Sequence, residues 1–374
     1  MAESAELYRP GLEGIVAGET SVSTVLQDSL AYRGYTIEDL AEHASFEETA
    51  YLLLRGELPS ASQLAAFRSE LDRHRPLNPH VLEVLRRIPA ETPGMDVLRT
   101  TLSMAAHFDP YRGNDLDALV GRATYALAVV PGIIAARMRL LAGQPLIEPK
   151  PGLSHAAQFL YQAFGQMPTA MNEKILNLTF VLYAEHEFNA STFACRVTTS
   201  TLSDMYSALV TGIGTLKGPL HGGANEESIK AINQYKSAAE AQAATETQVG
   251  GGKLIMGFGH RVYKNGDHRA RILEKYVEPL GRERNDMNRV EIYHAIKNVV
   301  WERKKIHMNV DYPCGLVYFF MGLPLDVYTP LFVASRISGW AAHAIEQFTN
   351  NRLIRPRSRY VGPEIRPYRP VGER

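Results

Sequence analysis

An all-α fold, predominantly helical from end to end, is what this sequence predicts, and three observations predict it. Helix-start signals recur along the chain, apolar residues return at helical spacing behind them, and long strands are hard to find anywhere. Short β-like pieces are expected only near the N-terminus, from Gly11 to Val25, around a Gly18-Glu19-Thr20 turn.

The elements follow in order. Thr36-Ile37-Glu38-Asp39 and Ser45-Phe46-Glu47-Glu48 each set a hydroxyl at a cap with an acid three residues on, and Ser60-Ala61-Ser62-Gln63 repeats the device with glutamine. Phe46, Ala50, Leu53 and Leu54 then share one face that can be buried. The longest apolar run, Ala123 to Ala136, is bounded by Arg122 and Arg137 and contains Pro131. It falls short of the ~20 residues that cross a bilayer and reads as a buried, kinked or broken core helix. Ile175, Leu178 and Leu182 form a further stripe ending near Glu185-His186-Glu187. Ser237 to Gln248 is alanine-rich and polar, a surface helix expected to run into a flexible joint at Val249 to Lys253. Thr329-Pro330 puts a cap and a first-turn proline ahead of a helix carrying Phe332, Ile337, Trp340, Ala341 and Ile345. From Asn350 the tail is rich in arginine and proline and is expected to be irregular.

With 374 residues the chain has room for two or three domains. Forty basic residues cancel forty acidic ones, so no bulk field draws nucleic acid or an anionic membrane, and neither is expected as a partner. An anionic ligand must be caught by locally placed arginines. Cys195 and Cys314 are the only cysteines, which excludes a disulfide scaffold or a four-cysteine zinc site and points to a reducing compartment. The acidic start, Met1 to Glu6, lacks the basic and apolar regions of a secretory signal, so a cytoplasmic location is expected.

Three loops set polar residues among glycines, where backbone can approach a ligand. The first, Leu216 to Glu226, carries His221 just before a helical pattern. A neutral histidine near a helix N-terminus is a good donor to an enolate, although a structural histidine fits the same pattern. The second, Ile255 to Lys264, holds His260 behind Gly257-Phe258-Gly259. This is only a fragment of a dinucleotide fingerprint with no strand before it, and the better reading is a loop cradling a phosphate or adenine, with Lys253, Arg261 and Lys264 nearby. The third, Met308 to Gly315, places Asp311 between apolar segments, where a turn or cap role is the ordinary reading. Glu185-His186-Glu187-Phe188-Asn189-Ala190 has no second histidine four residues on, so a zinc-protease helix is excluded. Cys314 beside Asp311 reads as a packed small residue rather than a nucleophile.

Taken together these segments resemble the citrate synthase family. The match runs from Leu30-Ala31-Tyr32-Arg33-Gly34-Tyr35 and Phe46 to Leu54, through Glu185 to Thr192 and Leu202-Ser203-Asp204-Met205-Tyr206. The His221, His260 and Asp311 loops follow in the family's order, and Phe332 to Arg336 and Arg355-Pro356-Arg357-Ser358 close it. The resemblance implies a citrate synthase-like two-domain helical fold: a large domain of residues 1–216 and 323–374 with a small domain, 217–322, inserted. It implies a homodimer of the short bacterial type, with active sites between the domains and without the NADH control of longer enzymes.

Carried over onto this chain, the resemblance makes Asp311 the base that takes a methyl proton from acetyl-CoA, His221 the donor to the enolate oxygen, and His260 the group that polarises the oxaloacetate carbonyl. His186, Asn189, Arg269, Phe332 and Arg336 are implied to surround oxaloacetate or citrate, with Arg355 lent by the partner chain. Lys253, Leu254, Ile255, Gly257, Phe258 and Asn309 are implied to lie along CoA, which is a substrate; no cofactor and no metal are implied. Pro313-Cys314 departs from many relatives and leaves the acyl pocket open: 2-methylcitrate synthase, using propionyl-CoA, shares the whole catalytic set. A citryl-CoA lyase and a non-catalytic scaffold are the remaining alternatives.

Overall fold

The computed structural model describes residues 8–26, 29–260, 263 and 265–374. Arg261 and Lys264, expected beside the phosphate loop, lie outside the described residues.

The expected β pieces condense into one small antiparallel sheet, β1 (Ser23–Val25), β2 (Leu30–Tyr32) and β3 (Tyr35–Thr36), with Ser23 opposite Tyr32 and Ala31 opposite Thr36. Gly18 to Thr20 stays outside it. Helices fill nearly everything else. The first group is α1 (Ile37–His43), α2 (Phe46–Arg55), α3 (Ala61–His74), α4 (Pro79–Arg87) and α5 (Gly94–Ala105). Ser45 and Ser60 form full capping boxes with Glu48 and Gln63, as their spacing predicts. Thr36 caps α1 by accepting from the Asp39 N–H, without the reciprocal bond.

The long apolar run becomes α6 (Leu116–Leu141), a single helix of 26 residues that continues through Pro131. It is long and apolar enough to cross a membrane, yet it is almost wholly buried in protein. Arg137 and Arg139 extend it past the apolar run because their guanidiniums donate to backbone carbonyls at Ile88, Pro89 and Ala90, and at Pro145 and Ala163. Buried cations thus find acceptors at helix ends and in loops, with no counter-ion among the described residues.

Next come α7 (His155–Phe164), α8 (Ala170–Tyr183), α9 (Ala190–Ser200) and α10 (Met205–Leu216), then α11 (Ala224–Asn233), α12 (Ala238–Gly250), α13 (His268–Glu274), α14 (Val277–Glu283), α15 (Met287–Lys304) and α16 (Asp311–Phe320). The helix α12 runs two residues beyond Gln248, so Val249 and Gly250 belong to it and not to a joint. It packs on α15, while α11 and α13 pack on α16.

The last helix, α17 (Tyr328–Thr349), touches α2, α5, α6, α8, α9 and α10 and so holds the core together. It starts one residue before the expected cap. A 3-10 turn at Leu325–Val327 feeds it directly, and Thr329 turns its hydroxyl to Glu226 of α11 instead of capping. From Asn350 the chain is irregular apart from a 3-10 turn at Val371–Glu373, as expected.

Candidate active site

Helix ends and the turns after them bring the candidate residues together. The α8–α9 turn carries His186 and Asn189; the α10–α11 turn carries His221; a strand-like bridge between Phe258 and Met308 sits beside His260; Asp311 opens α16. Contacts that run in part through Ser191, Tyr263, Asp267 and Tyr183 join them into a ring, from His221 through His186, His260, Arg269, Asp311 and Phe332 to Arg336.

His221 Nε2 lies 3.2 Å from the Ser191 backbone nitrogen, which can only donate. Nε2 is therefore the acceptor and the ring proton sits on Nδ1, which makes no bond among the described residues. The Ser191 hydroxyl, 2.7 Å from the same Nε2, also receives the Trp340 indole N–H at 3.1 Å. Burial, then the charge of Arg336, pulls the His221 pKa down to about 4, so the ring is a neutral N–H donor at neutral pH. The turn before α11 is tight: a Cβ on Gly222 would overlap the Leu216 carbonyl, and Gly223 has φ 83°.

His260 has the opposite tautomer. Its Nδ1 receives the Tyr263 backbone N–H at 3.2 Å, which leaves the proton on Nε2. Burial, then Arg269, lowers its pKa to about 4. Its ring stands 5.0 Å from that of His186, whose Nε2 is 3.1 Å from the Tyr263 hydroxyl. Burial, followed by the charges of Arg269, His260 and Arg336, holds His186 neutral.

Two buried arginines face this group. Arg269 is locked by Asp267 through two parallel bonds, 3.0 Å from Nε and 2.9 Å from Nη2, a geometry that fixes the plane of the guanidinium. Asp267 also accepts the Val310 N–H at 2.9 Å, one residue before Asp311. Arg336 is only 2% exposed and gives its Nε–H to the Tyr183 carbonyl at 2.6 Å. Among the described residues no carboxylate pairs with it. A buried guanidinium with terminal N–H groups to spare is a receptor for a carboxylate.

Asp311 receives the Tyr183 hydroxyl at 2.7 Å, and its own N–H goes to Asn309 at 3.1 Å. Burial raises its pKa above the ordinary aspartate value, against the Tyr183 bond and the charges of Arg269 and Arg336. Burial thus makes it a stronger base than a surface aspartate. Phe332 closes the ring: it packs edge-on against Tyr183 at 4.5 Å and lies under the Arg336 guanidinium at 4.7 Å. Cys314 is buried and its thiol is pushed up by burial, which suits a packed residue rather than a nucleophile.

The family model described as citrate synthase, C-terminal domain, matches residues 11–357. The chain belongs to the citrate synthase family. It is 41% identical to a 2-methylcitrate synthase of Shewanella oneidensis across the full length of both chains. It is equally 41% identical to a citrate synthase of Haloferax volcanii, over 99% of this chain and all of that one. Among solved structures it superposes on the citrate synthase of Thermoplasma acidophilum, captured with carboxymethyl coenzyme A and oxaloacetate, with TM-score 0.93 and 35% identity over 99% of this chain and 100% of that one. The citrate synthase of Pyrobaculum aerophilum gives TM-score 0.90 and 34% identity, covering 97% and 94%.

Two further parts of this citrate synthase-family site are informative. The Lys253 to Phe258 loop exposes Leu254, at 92%, and is pinned to the base loop by Gly259 N–H to His307 O at 2.8 Å and Asn309 N–H to Gly257 O at 2.9 Å. Asn309 adds a side-chain bond to the Gly259 carbonyl at 3.0 Å. Gly257 needs its positive φ of 86°, and a Cβ there would press on Tyr312. Arg355 is not in the ring. It is exposed and follows Ile354, whose N–H is held by Ser200 at the far end of α9 from Asn189. Eleven residues of helix put about 16 Å between those ends.

Asn189 spends its amide locally, capping α9 through Thr192 and holding the His186 carbonyl at 3.2 Å. Sequence reasoning assigned no role to Ser191, Tyr183, Tyr263, Asp267 or Trp340. Asp267 had a signal, an acid two residues before Arg269; Tyr183 had none beyond closing an apolar stripe.

Proposed function

We propose that the enzyme is a citrate synthase, condensing acetyl-CoA with oxaloacetate and water to give citrate and CoA, the entry step of the tricarboxylic acid cycle. The observation that carries this reading is the pair of opposed tautomers. His221 offers Nδ1–H and His260 carries its proton on Nε2, beside a carboxylate whose pKa is raised.

In the proposed mechanism the Asp311 carboxylate takes a proton from the acetyl methyl group. Charge develops on the thioester oxygen and is met by His221 Nδ1–H, a fixed donor in a dry site. The methyl carbon's electron pair forms the new bond to the oxaloacetate carbonyl carbon, and His260 supplies the proton to that carbonyl oxygen. Water then cleaves the thioester and releases the CoA thiol. Arg269, Arg336 and His186 hold substrate carboxylates, with Phe332 packed beside them. Asn189 serves by fixing the His186 turn. Lys253, Leu254, Ile255, Gly257, Phe258 and Asn309 take the nucleotide and pantetheine arm.

The same proposal includes a large domain of residues 1–216 and 323–374 around an inserted 217–322 small domain, with closure between them. It also includes a cytoplasmic homodimer in which Arg355, held beside the far end of α9 and so too far away to serve its own site, completes the partner's. A second reading, 2-methylcitrate synthase, is favoured by the Shewanella relative and changes only the acyl group. One methylene is worth only about 1–3 kcal/mol in an apolar pocket. Thiol release from acetyl-CoA and from propionyl-CoA, each with oxaloacetate, decides between them. Preference for acetyl-CoA supports citrate synthase, preference for propionyl-CoA supports the second reading, and release from neither by a folded protein refutes both.

A further inference from the structure

Glu185 is a wholly buried carboxylate one residue before His186, and it has no part in the mechanism above. Its Oε1 accepts from His343 Nε2 at 2.9 Å and from the Ser23 hydroxyl at 3.0 Å. The other nitrogen of His343, Nδ1, stands 3.0 Å from Arg196 Nη1. A guanidinium only donates, so Nδ1 accepts, the ring proton sits on Nε2, and His343 is a neutral donor rather than a counter-ion. Arg196 itself is paired with Glu346 at 2.6 Å. Among the described residues, no lysine or arginine is in ion-pair contact with Glu185.

The complementary imbalance lies on the same helix. Arg336 is a buried cation without a contacting carboxylate, and its Nε–H holds the Tyr183 carbonyl two residues before Glu185. Positions 336, 339, 340 and 343 form one stripe of α17 at helical spacing. Arg336 reaches Tyr183, Trp340 reaches Ser191 and His343 reaches Glu185. Between them Gly339 lets the turn approach: a Cβ there would overlap Glu185 Oε2 and the Ala184 carbonyl.

We infer that Glu185, fixed by His343 and Ser23, is a positioning residue for oxaloacetate: it anchors the turn that carries His186 and supplies the buried counter-charge against which Arg336 is held. The inference rests on the proposed reading of Arg336 and His186 as carboxylate ligands. Its predicted signature is confined to one substrate, because the Lys253 to Phe258 loop makes none of these contacts.

The test is oxaloacetate affinity by calorimetry on the full-length protein without acyl-CoA, followed by KM for both substrates. His343→Leu removes the donor to Glu185 and the acceptor for Arg196. His343→Gln keeps both, its amide N–H to Glu185 and its amide oxygen to Arg196. The leucine variant should weaken oxaloacetate binding about tenfold, the cost of a buried charge losing a bond. KM for the acyl-CoA should stay within about twofold, and glutamine should restore binding. Ser23→Ala removes the other donor, should move affinity the same way, and decides the matter if His343→Leu does not fold. Folded His343→Leu and Ser23→Ala proteins that melt lower but bind oxaloacetate normally would overturn the inference, as would equal losses for both substrates. A wild-type protein that binds no oxaloacetate would instead overturn the functional reading.

Discussion

Replacing Tyr183 by phenylalanine isolates one atom next to the proposed base. The hydroxyl donates to Asp311 Oδ1 at 2.7 Å, and the ring, packed edge-on against Phe332, stays where it is. A hydrogen bond to a charged group contributes about 1.5–3 kcal/mol, so losing it favours the protonated carboxyl by roughly tenfold to a hundredfold. The sign follows from the causes already acting on Asp311. Burial raises its pKa and the Tyr183 bond opposes that rise, so removing the bond raises it further. Activity that needs the carboxylate should therefore fall most on the acid side and recover as pH rises. The assay is thiol release across the pH range, with kcat/KM plotted for both proteins. The acidic limb of the Tyr183→Phe profile should move to higher pH, with the high-pH plateau reduced far less. An unshifted limb, or a uniform loss at every pH, would refute the assignment of Asp311 as the base and of Tyr183 as the group that tunes it.

Asp311→Asn and His221→Ala should each lower turnover by orders of magnitude while keeping the melting temperature, and oxaloacetate should raise that temperature in the wild type and in both variants; near-normal rates in both would end the mechanism. Mixed dimers of Arg355→Ala and Arg336→Ala chains should regain part of the activity that neither homodimer has, and verified mixed dimers without rescue would argue against a shared site. Gly339→Ala forces a methyl group against Glu185 and the Ala184 carbonyl, so thermal unfolding should show about 1–3 kcal/mol of lost stability; an unchanged melt would mean the helix gives way easily.

How much of this was legible in the sequence depended on whether a feature is local. The capping boxes at Ser45 and Ser60 are local, and both form as spacing predicts. The start of α17 is not. Thr329-Pro330 looks like a cap, but the Glu226 carboxylate from another helix claims the threonine hydroxyl. The helix α6 outruns the apolar stretch between Arg122 and Arg137: arginine reads as a boundary, whereas Arg137 and Arg139 remain helical and buried by donating to distant carbonyls. At the site, the glycine-flanked histidines could be picked out from the residues alone. Their tautomers could not, since these depend on backbone N–H groups at Ser191 and Tyr263. Tyr183 was invisible for the same reason: its partner lies 128 residues away.

The bridge between Phe258 and Met308 has a metrical consequence. Three hydrogen bonds tie the Gly257–Gly259 segment to His307–Asn309, and Asn309 then takes the Asp311 N–H. The loop proposed to hold the nucleotide and the residue proposed to pull the proton are thus two jaws of one rigid gauge. In the closure proposed above, the span between them should stay constant. On the proposed reading, an acyl group hung on an arm of given length would reach the carboxylate by measurement rather than by search.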